Sequence, residues 1–322
     1  MALMEPQDRD HTYPLGSSPI NTIAMITNPR AGHGSSQAAS QRASRVFAER
    51  GIDVISLQGS NPDDARHLIR EVLADGRIDA LVACGGDGMI NLALQEQAGT
   101  GIPLGIIPAG TGNDHAREYN LPRDNAKEAA HIVADGFWTT TDLGKITDST
   151  GAEKWFGTIM CAGFDSVVSD RVNQMKWPHG RNRYNLAILR EFLAFQPLDF
   201  RITLDDDRVL DDPITLAAFG NTRSYGGGMK ICPKANHSDG LFDVTVIGKG
   251  SRLKVAMSFK SVFDGTLEEL PEVTTYRCRS AHVECTGPRS EMNAYADGDF
   301  MFAMPVTAEI VPAVGKYIVP RP

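Results

Sequence analysis

Four short stretches of this sequence carry residue types and spacings suited to handling phosphate. Gly85-Gly-Asp-Gly88 sits between an apolar run and a helical run. Glycines let a backbone approach an anion closely. The start of the following helix offers unpaired N–H groups and a positive dipole end. Asp87 would repel phosphate unless a Mg2+ ion lay between them; a tight turn capped by Asp competes with this reading. Gly110-Thr-Gly-Asn-Asp114 repeats the arrangement after the next apolar run. Thr111 and Asn113 can donate to phosphate oxygens, and Asp114 could equally cap the next helix. Asn28-Pro-Arg-Ala-Gly-His-Gly34 is a third loop, in which Arg30 or His33 could touch phosphate. On its own it reads as a plain strand–helix turn. Asp297-Gly-Asp299 sets two carboxylates two residues apart and, alone, reads as an ordinary turn. Neither a GxxxxGK[ST] nor a GxGxxG fingerprint occurs.

These loops need elements that bring them together. Thr22–Thr27, Asp53–Leu57, Ala80–Ala83 and Pro103–Ile107 are apolar, strand-like runs. Between them lie helical stretches at Ser35–Arg50, from Asn61 or Asp63 to Ala74, and at Met89–Gln97. Alternation of this kind predicts a parallel α/β sheet with ligands at the carboxyl ends of its strands. After about Asp142 the texture changes. Trp155–Cys161, Phe200–Leu204, Ile214–Phe219, Leu241–Ile247 and His282–Cys285 read as strands, with Asp205-Asp-Asp207 as a hairpin tip. Helices are expected only at Tyr184–Phe195 and Arg252–Phe263. The organisation predicted is a disordered arm over 1–19, an α/β domain over 20–141, a mostly antiparallel, β-rich domain over 142–290, and a terminal stretch, 291–322, returning to the first domain.

Composition narrows the partners. The 322 residues carry a net charge of −8, which excludes the basic footprint of a nucleic-acid binder. The five cysteines show no CxxC pair, as suits a reducing cytoplasm. Met1–Pro19 has no apolar core and does not read as a secretory signal. No stretch reaches the roughly 18 apolar residues that span a bilayer. Arg171, Lys176, Arg181 and Arg183 beside Trp177 and Tyr184 suit a transient contact with the inner membrane face, or simply a solvated face. The eight histidines show no metal spacing and read as surface or core residues.

Together the motifs resemble the diacylglycerol kinase catalytic family. The match uses Asn28-Pro, Gly85-Gly-Asp-Gly88, and Pro108-Ala-Gly-Thr-Gly-Asn-Asp114 with Ala116-Arg117. It continues through Gly163-Phe-Asp165, Gly180 with Tyr184, Gly226-Gly-Gly228, Cys232-Pro233, Ala235, Asp239-Gly-Leu241 and Asp297-Gly-Asp299. The resemblance implies an α/β nucleotide domain and a β-sandwich-like second domain, with ATP between them and a lipid alcohol entering from the second. It assigns ATP phosphates to Asn28, Arg30, Gly85, Gly86, Asp87, Gly88, Met89, Gly110, Thr111 and Asn113. It makes Asp299 the general base, where the family carries Glu, and has Asp297 help hold Mg2+. A structural Mg2+ is implied at Asp239 with the carbonyls of Asn236 and Leu241; a type I turn through Ser238-Asp-Gly240 competes. Met89 stands where the family usually has Thr, and Leu92 where it usually has Glu. An NAD kinase, whose family shares the GGDG loop, and a nucleotide-binding pseudokinase are the alternatives. The sequence is compatible with a homodimer and specifies no oligomeric state.

Overall fold

The computed structural model describes residues 13–28, 35–163, 198–248, 261–287 and 292–322. The helix expected at Tyr184–Phe195, most of that at Arg252–Phe263, and the basic segment from Asp170 to Tyr184 lie outside the described residues.

The first half alternates as its pattern implies. A two-residue strand β1 (Gly16–Ser17) and β2 (Thr22–Thr27) precede helix α1 (Ser35–Glu49), β3 (Asp53–Leu57) and α2 (Pro62–Asp75). Then come β4 (Ala80–Gly85), α3 (Asp87–Gln97), β5 (Leu104–Pro108), the short α4 (Asp114–Glu118) and α5 (Ala126–Asp135). Strands β3-β2-β4-β5 are parallel neighbours in that order. Successive residues of a strand face opposite sides, and both sides are covered. Ile23 and Met25 pack with Val46, Phe47 and Val133 of α1 and α5. Ala24 and Ile26 pack with Ile69, Val72, Ile90 and Leu94 of α2 and α3. Helix ends follow local chemistry. Asn61 caps α2 by accepting from the Asp64 N–H, Pro62 opens it, and Gly76 closes it in the left-handed region at φ 68°.

The second half is mostly antiparallel. Its strands are β6 (Phe137–Asp148), β7 (Glu153–Phe156), β8 (Ile159–Gly163), β9 (Leu198–Leu204), β10 (Arg208–Gly220) and β11 (Phe242–Gly248). They continue with β12 (Val273–Cys278), β13 (Ser280–Cys285), β14 (Asn293–Ala296), β15 (Asp299–Ala303) and β16 (Val306–Ile318). Phe156, Phe200, Phe219 and Phe242 fill its core, with Phe156 and Phe242 stacked at 5.7 Å. Asp205 and Asp206, both at positive φ, turn the β9–β10 hairpin.

Strand β16 joins the halves. It runs antiparallel to β13 and β6, and at Tyr317 it lies parallel to Leu104 of β5. Its register along β6 shifts between Val311 and Gly315, where Ala313 takes φ 59°. Fully buried Asp142 of β6 absorbs this irregularity. Its carboxylate accepts from the Ala313 N–H (3.0 Å), the Gly240 N–H (2.7 Å) and the Tyr13 hydroxyl (2.8 Å).

Two expectations need correction. The arm expected to be disordered through Pro19 is held from Tyr13 onward: β1 pairs with Phe137 and Trp138, and Tyr13 reaches Asp142. The single strand expected over Trp155–Cys161 breaks at Gly157-Thr158, whose N–H groups turn toward Asp297 instead of a neighbouring strand.

Replacing Asp142 with Ala leaves three partly buried donors without their acceptor. Urea denaturation of Asp142→Ala is expected to show a loss of about 3 kcal/mol, and of less for Asp142→Asn, which keeps one acceptor oxygen.

Candidate active site

The two central glycine loops touch each other. They leave β4 and β5, adjacent parallel strands, at their carboxyl ends. A Cβ on Gly110 would lie 2.4 Å from the Gly86 Cα, so the loops can meet at this distance only without side chains. Asn113 adopts φ 51° and braces its own loop. Its Oδ1 accepts from the Gly110 N–H and its Nδ2 donates to the Gly110 carbonyl, each at 3.0 Å. Helix α4 has no side-chain cap from Asn113. Asp87 of the neighbouring loop supplies it, accepting from the Asp114 N–H at 2.8 Å and the His115 N–H at 3.3 Å. Burial opposes the Asp87 charge, but the His115 ring and these two N–H groups outweigh it and hold its carboxyl below the usual range.

Asp114 extends the chain of contacts to the second half. Both of its oxygens accept from the Gly227 N–H, at 2.9 and 3.1 Å. Burial and the Asp87 charge push its carboxyl up. Gly226, Gly227 and Gly228 all take positive φ, at 59°, 87° and 104°, and a Cβ on Gly228 would press on the Arg117 guanidinium at 3.0 Å.

The Asp297-Gly-Asp299 stretch forms the turn and first strand residue of the β14–β15 hairpin. Asp297 (φ 53°) and Gly298 (φ 82°) have the two positive φ values of a mirror-image two-residue turn. The buried Asp297 carboxylate is saturated. It accepts from Asn91 Nδ2 and the Gly157 N–H at 2.9 Å, the Thr158 N–H at 2.8 Å and Thr158 Oγ1 at 2.5 Å. Asp299 faces the cleft. A Cβ on Gly88 would lie 2.9 Å from its Oδ2, so the carboxylate rests against the Gly85–Gly88 loop. Desolvation where it lies on that loop, then the Asp297 and Asp87 charges, push its carboxyl up to about 6.

The structure thus brings Gly85, Gly86, Asp87, Gly88, Gly110, Thr111, Asn113, Asp297 and Asp299 to one place. Gly88, Gly110, Thr111, Gly226, Gly298 and Asp299 form its exposed face. The amino end of α3 has no side-chain cap. Met89 and Leu92 are partly buried against the α2–α3 core, so apolar residues suit them. Asn28 directly follows β2 and is exposed. Arg30 and His33, like Phe164, Asp165, Gly180 and Tyr184, lie outside the described residues. Asn236, Asp239 and Leu241 form a separate loop. There Asp239 Oδ1 accepts from the Leu241 N–H at 3.1 Å and Oδ2 pairs with Arg277. Asn236 Oδ1 accepts from the Ser238 N–H and hydroxyl. Among the described residues no three His, Cys, Asp or Glu side chains gather as a cation site.

One site residue escaped the sequence reading. His115 is fully buried, with Nδ1 3.5 Å from Asp87 and Nε2 3.7 Å from Asp297. Burial disfavours its charged form, but Asp297, Asp87 and Asp114 outweigh that, and the net shift is upward. Metal spacing could not find it; its place directly after Asp114 was the available signal.

Residues 22–146 match the diacylglycerol kinase catalytic domain, and 158–319 match the YegS C-terminal NAD kinase beta sandwich-like domain. A diacylglycerol kinase of Mycobacterium tuberculosis is 50% identical over 302 residues, covering 94% of this chain and 96% of that protein. The chain belongs to the diacylglycerol kinase family. A Bacillus subtilis diacylglycerol kinase is 28% identical over 70% of the chain and 74% of its own length. The fold is that of a diacylglycerol kinase crystal structure from Bacillus anthracis, with TM-score 0.74, 22% identity, and 95% and 99% of the two chains covered. Yeast NADH kinase shares the fold more distantly, at TM-score 0.52 and 12% identity over 99% and 89%. Family membership makes the protein a kinase. No helix among the described residues is long and apolar enough to cross a membrane.

The backbone contact between the glycine loops gives a direct test. Gly110→Ala is expected to pry the loops apart and weaken nucleotide binding at least about tenfold in calorimetry, since displacements near an ångström carry such costs. The far-ultraviolet circular dichroism should stay unchanged.

Proposed function

We propose that this kinase transfers the γ-phosphate of ATP to the hydroxyl of diacylglycerol or a similar lipid alcohol, with Asp299 as general base. The observation that carries this is the Asp299 carboxylate resting against Gly88 of the loop suited to phosphate. Phosphoryl transfer asks a protein mainly for positioning and charge stabilisation, with a carboxylate orienting the nucleophile. The uncapped start of α3 and the exposed Gly110-Thr111 edge offer backbone N–H groups to phosphate oxygens. Asp299 takes the proton from the lipid hydroxyl as its oxygen bonds to the γ-phosphorus and the bond to the β-phosphate oxygen breaks, releasing ADP. Asp is one methylene shorter than Glu, and the tight Asp297-Gly298 turn supports this role by setting Asp299 directly at the loop.

The donor set fits a Mg2+ ion carried largely by nucleotide oxygens, as this ion commonly is. The Asp87 oxygen facing Gly112 is the carboxylate oxygen placed to hold it, while those of Asp297 are already engaged and Asp299 serves as the base. When bound, the ion would neutralise phosphate charge. At the second loop, Arg277 already supplies the positive charge beside Asp239. A membrane-resident acceptor would require transient contact with the inner membrane face.

Labelled γ-phosphate should appear on a lipid when the enzyme, Mg2+ and mixed micelles are assayed with diacylglycerol, monoacylglycerol, sphingosine, ceramide, a polyprenol and NAD. Label on NAD alone would select the NAD kinase reading; nucleotide binding with no label would select the pseudokinase. Asp299→Asn should cost about 100- to 10,000-fold in kcat. A base must be deprotonated, and this carboxyl titrates near 6. The wild-type kcat/KM should therefore climb as pH rises through about 6 and level off above 7. A profile flat down to pH 5 would remove Asp299 from the role.

A further inference from the structure

We propose that the groove between the 99–101 loop and the irregular turn of β16 is a binding site for a small phosphate-bearing anion, with the Lys316 ammonium as its charge and the Thr140 hydroxyl beside it. The groove lies at the amino end of β5, whereas the phosphate loops leave the carboxyl ends of β4 and β5. It is therefore separate from the candidate active site and does not depend on the kinase reading.

The groove holds about 310 Å3 between the 99–101 loop, Trp138 and Thr140 of β6, and residues 313–316 of β16. Ligand sites start near roughly 300 Å3, so this one suits a small molecule. Its shape comes from β16, whose register on β6 shifts between Val311 and Gly315. The Gly99 N–H donates to the Val314 carbonyl at 2.9 Å and holds the loop against that turn. Beyond the shift, Lys316 stands opposite Thr140. The residues alternating with them, Thr139, Thr141 and Tyr317, are buried, so Trp138, Thr140 and Lys316 share the other face. Lys316 is half-buried, and among the described residues no carboxylate pairs with it. Burial alone shifts its ammonium, downward. The ammonium lies 3.6 Å from the centre of the Trp138 ring, a contact that holds the charge without neutralising it. The ring is itself fixed: Nε1 donates to Ser18 Oγ at 3.2 Å, and a Cβ on Gly16 would lie only 2.2 Å from it. The nearby end of α3 does not use this cation. Its Leu94 carbonyl accepts from the Ala98 N–H, and its Gln97 carbonyl from the Thr100 N–H and hydroxyl. The Thr140 hydroxyl makes no hydrogen bond among the described residues. A fixed, partly desolvated cation in a concave site calls for an anion. Lysine offers a compact point charge, the form in which it commonly binds phosphate, whereas planar bidentate recognition falls to arginine.

The test uses the full chain carrying 5-fluorotryptophan, read by fluorine magnetic resonance, with the Trp138 signal identified by its loss in Trp138→Phe. The probes are inorganic phosphate, glycerol 3-phosphate, and phosphatidylcholine vesicles with and without phosphatidate, against chloride at equal ionic strength. The Trp138 signal should respond saturably to a phosphate probe, with half-saturation on the order of 1 mM for the soluble ones, as two charge-assisted contacts allow. A response to the soluble probes identifies a free phosphate as the ligand, and a response to phosphatidate vesicles alone identifies a lipid headgroup; either supports the site. Lys316→Gln should weaken binding about tenfold or more, and Lys316→Arg, which keeps the charge, should restore most of it. If Lys316→Gln does not fold, Thr140→Val is titrated in its place, with a loss of about two- to tenfold expected. No response to any phosphate probe would overturn the proposal. So would a response that chloride matches, or one undiminished in the folded variant.

Discussion

The buried Asp297 carboxylate is the interaction on which the site depends. An ionised group taken from water is costly unless donors replace its hydration. Here four do, from Asn91 of α3, Gly157, and Thr158 twice. Those donors come from both halves of the molecule. Satisfying one charge therefore docks the β14–β15 hairpin onto the first helix turns of the nucleotide half and breaks the strand that would otherwise run through Gly157. Asp87 works in a similar way between neighbouring loops, capping α4 from outside. The aspartates of these motifs are structural joints as well as candidate chemical groups.

That dual use explains what the sequence showed and what it hid. The alternation of apolar runs and helical stretches up to Asp142, and the β-rich texture after it, were legible because each element buries a periodic face. The glycine loops were legible as a set because their residue types are unusual at strand ends. The partner of each side chain was not legible. Asn113 reads as a phosphate donor, yet its amide closes on Gly110 of its own loop. Asp114 reads as a cap for its own helix, yet it binds the Gly227 N–H more than a hundred residues away. Gly86 and Gly110 read as room for phosphate, and they are also room for each other. Spacing along the chain carries no record of such contacts, which exist only once parallel strands set two loops side by side. His115 was invisible for the same reason, since both of its acidic neighbours come from other elements.

Strand β16 shows a related economy. It lies beside β6, β13 and β5 at once, and its irregularity at Ala313 is accommodated by a single carboxylate, Asp142, which also holds the Gly240 N–H and Tyr13. The arm from Tyr13 to Ser18 is fixed by this hub and by the pairing of β1 with Phe137 and Trp138. Burial and the Asp142 carboxylate push the Tyr13 hydroxyl up to about 12, so it remains a hydrogen-bond donor across the physiological range.

The β14–β15 hairpin carries a consequence for how such an enzyme changes over evolution. Among the described residues, β15 is the last strand of its sheet and pairs only with β14. Its residues beyond Asp299 hold up no further strand, while the turn before it is locked into the other half. Within β15 Met301 is buried in the core of the second half, whereas Phe300 is exposed, so substitutions at Phe300 can accumulate while the locked turn stays as it is. A lineage could thus redraw this exposed margin and keep the buried joint behind it as an unaltered inheritance.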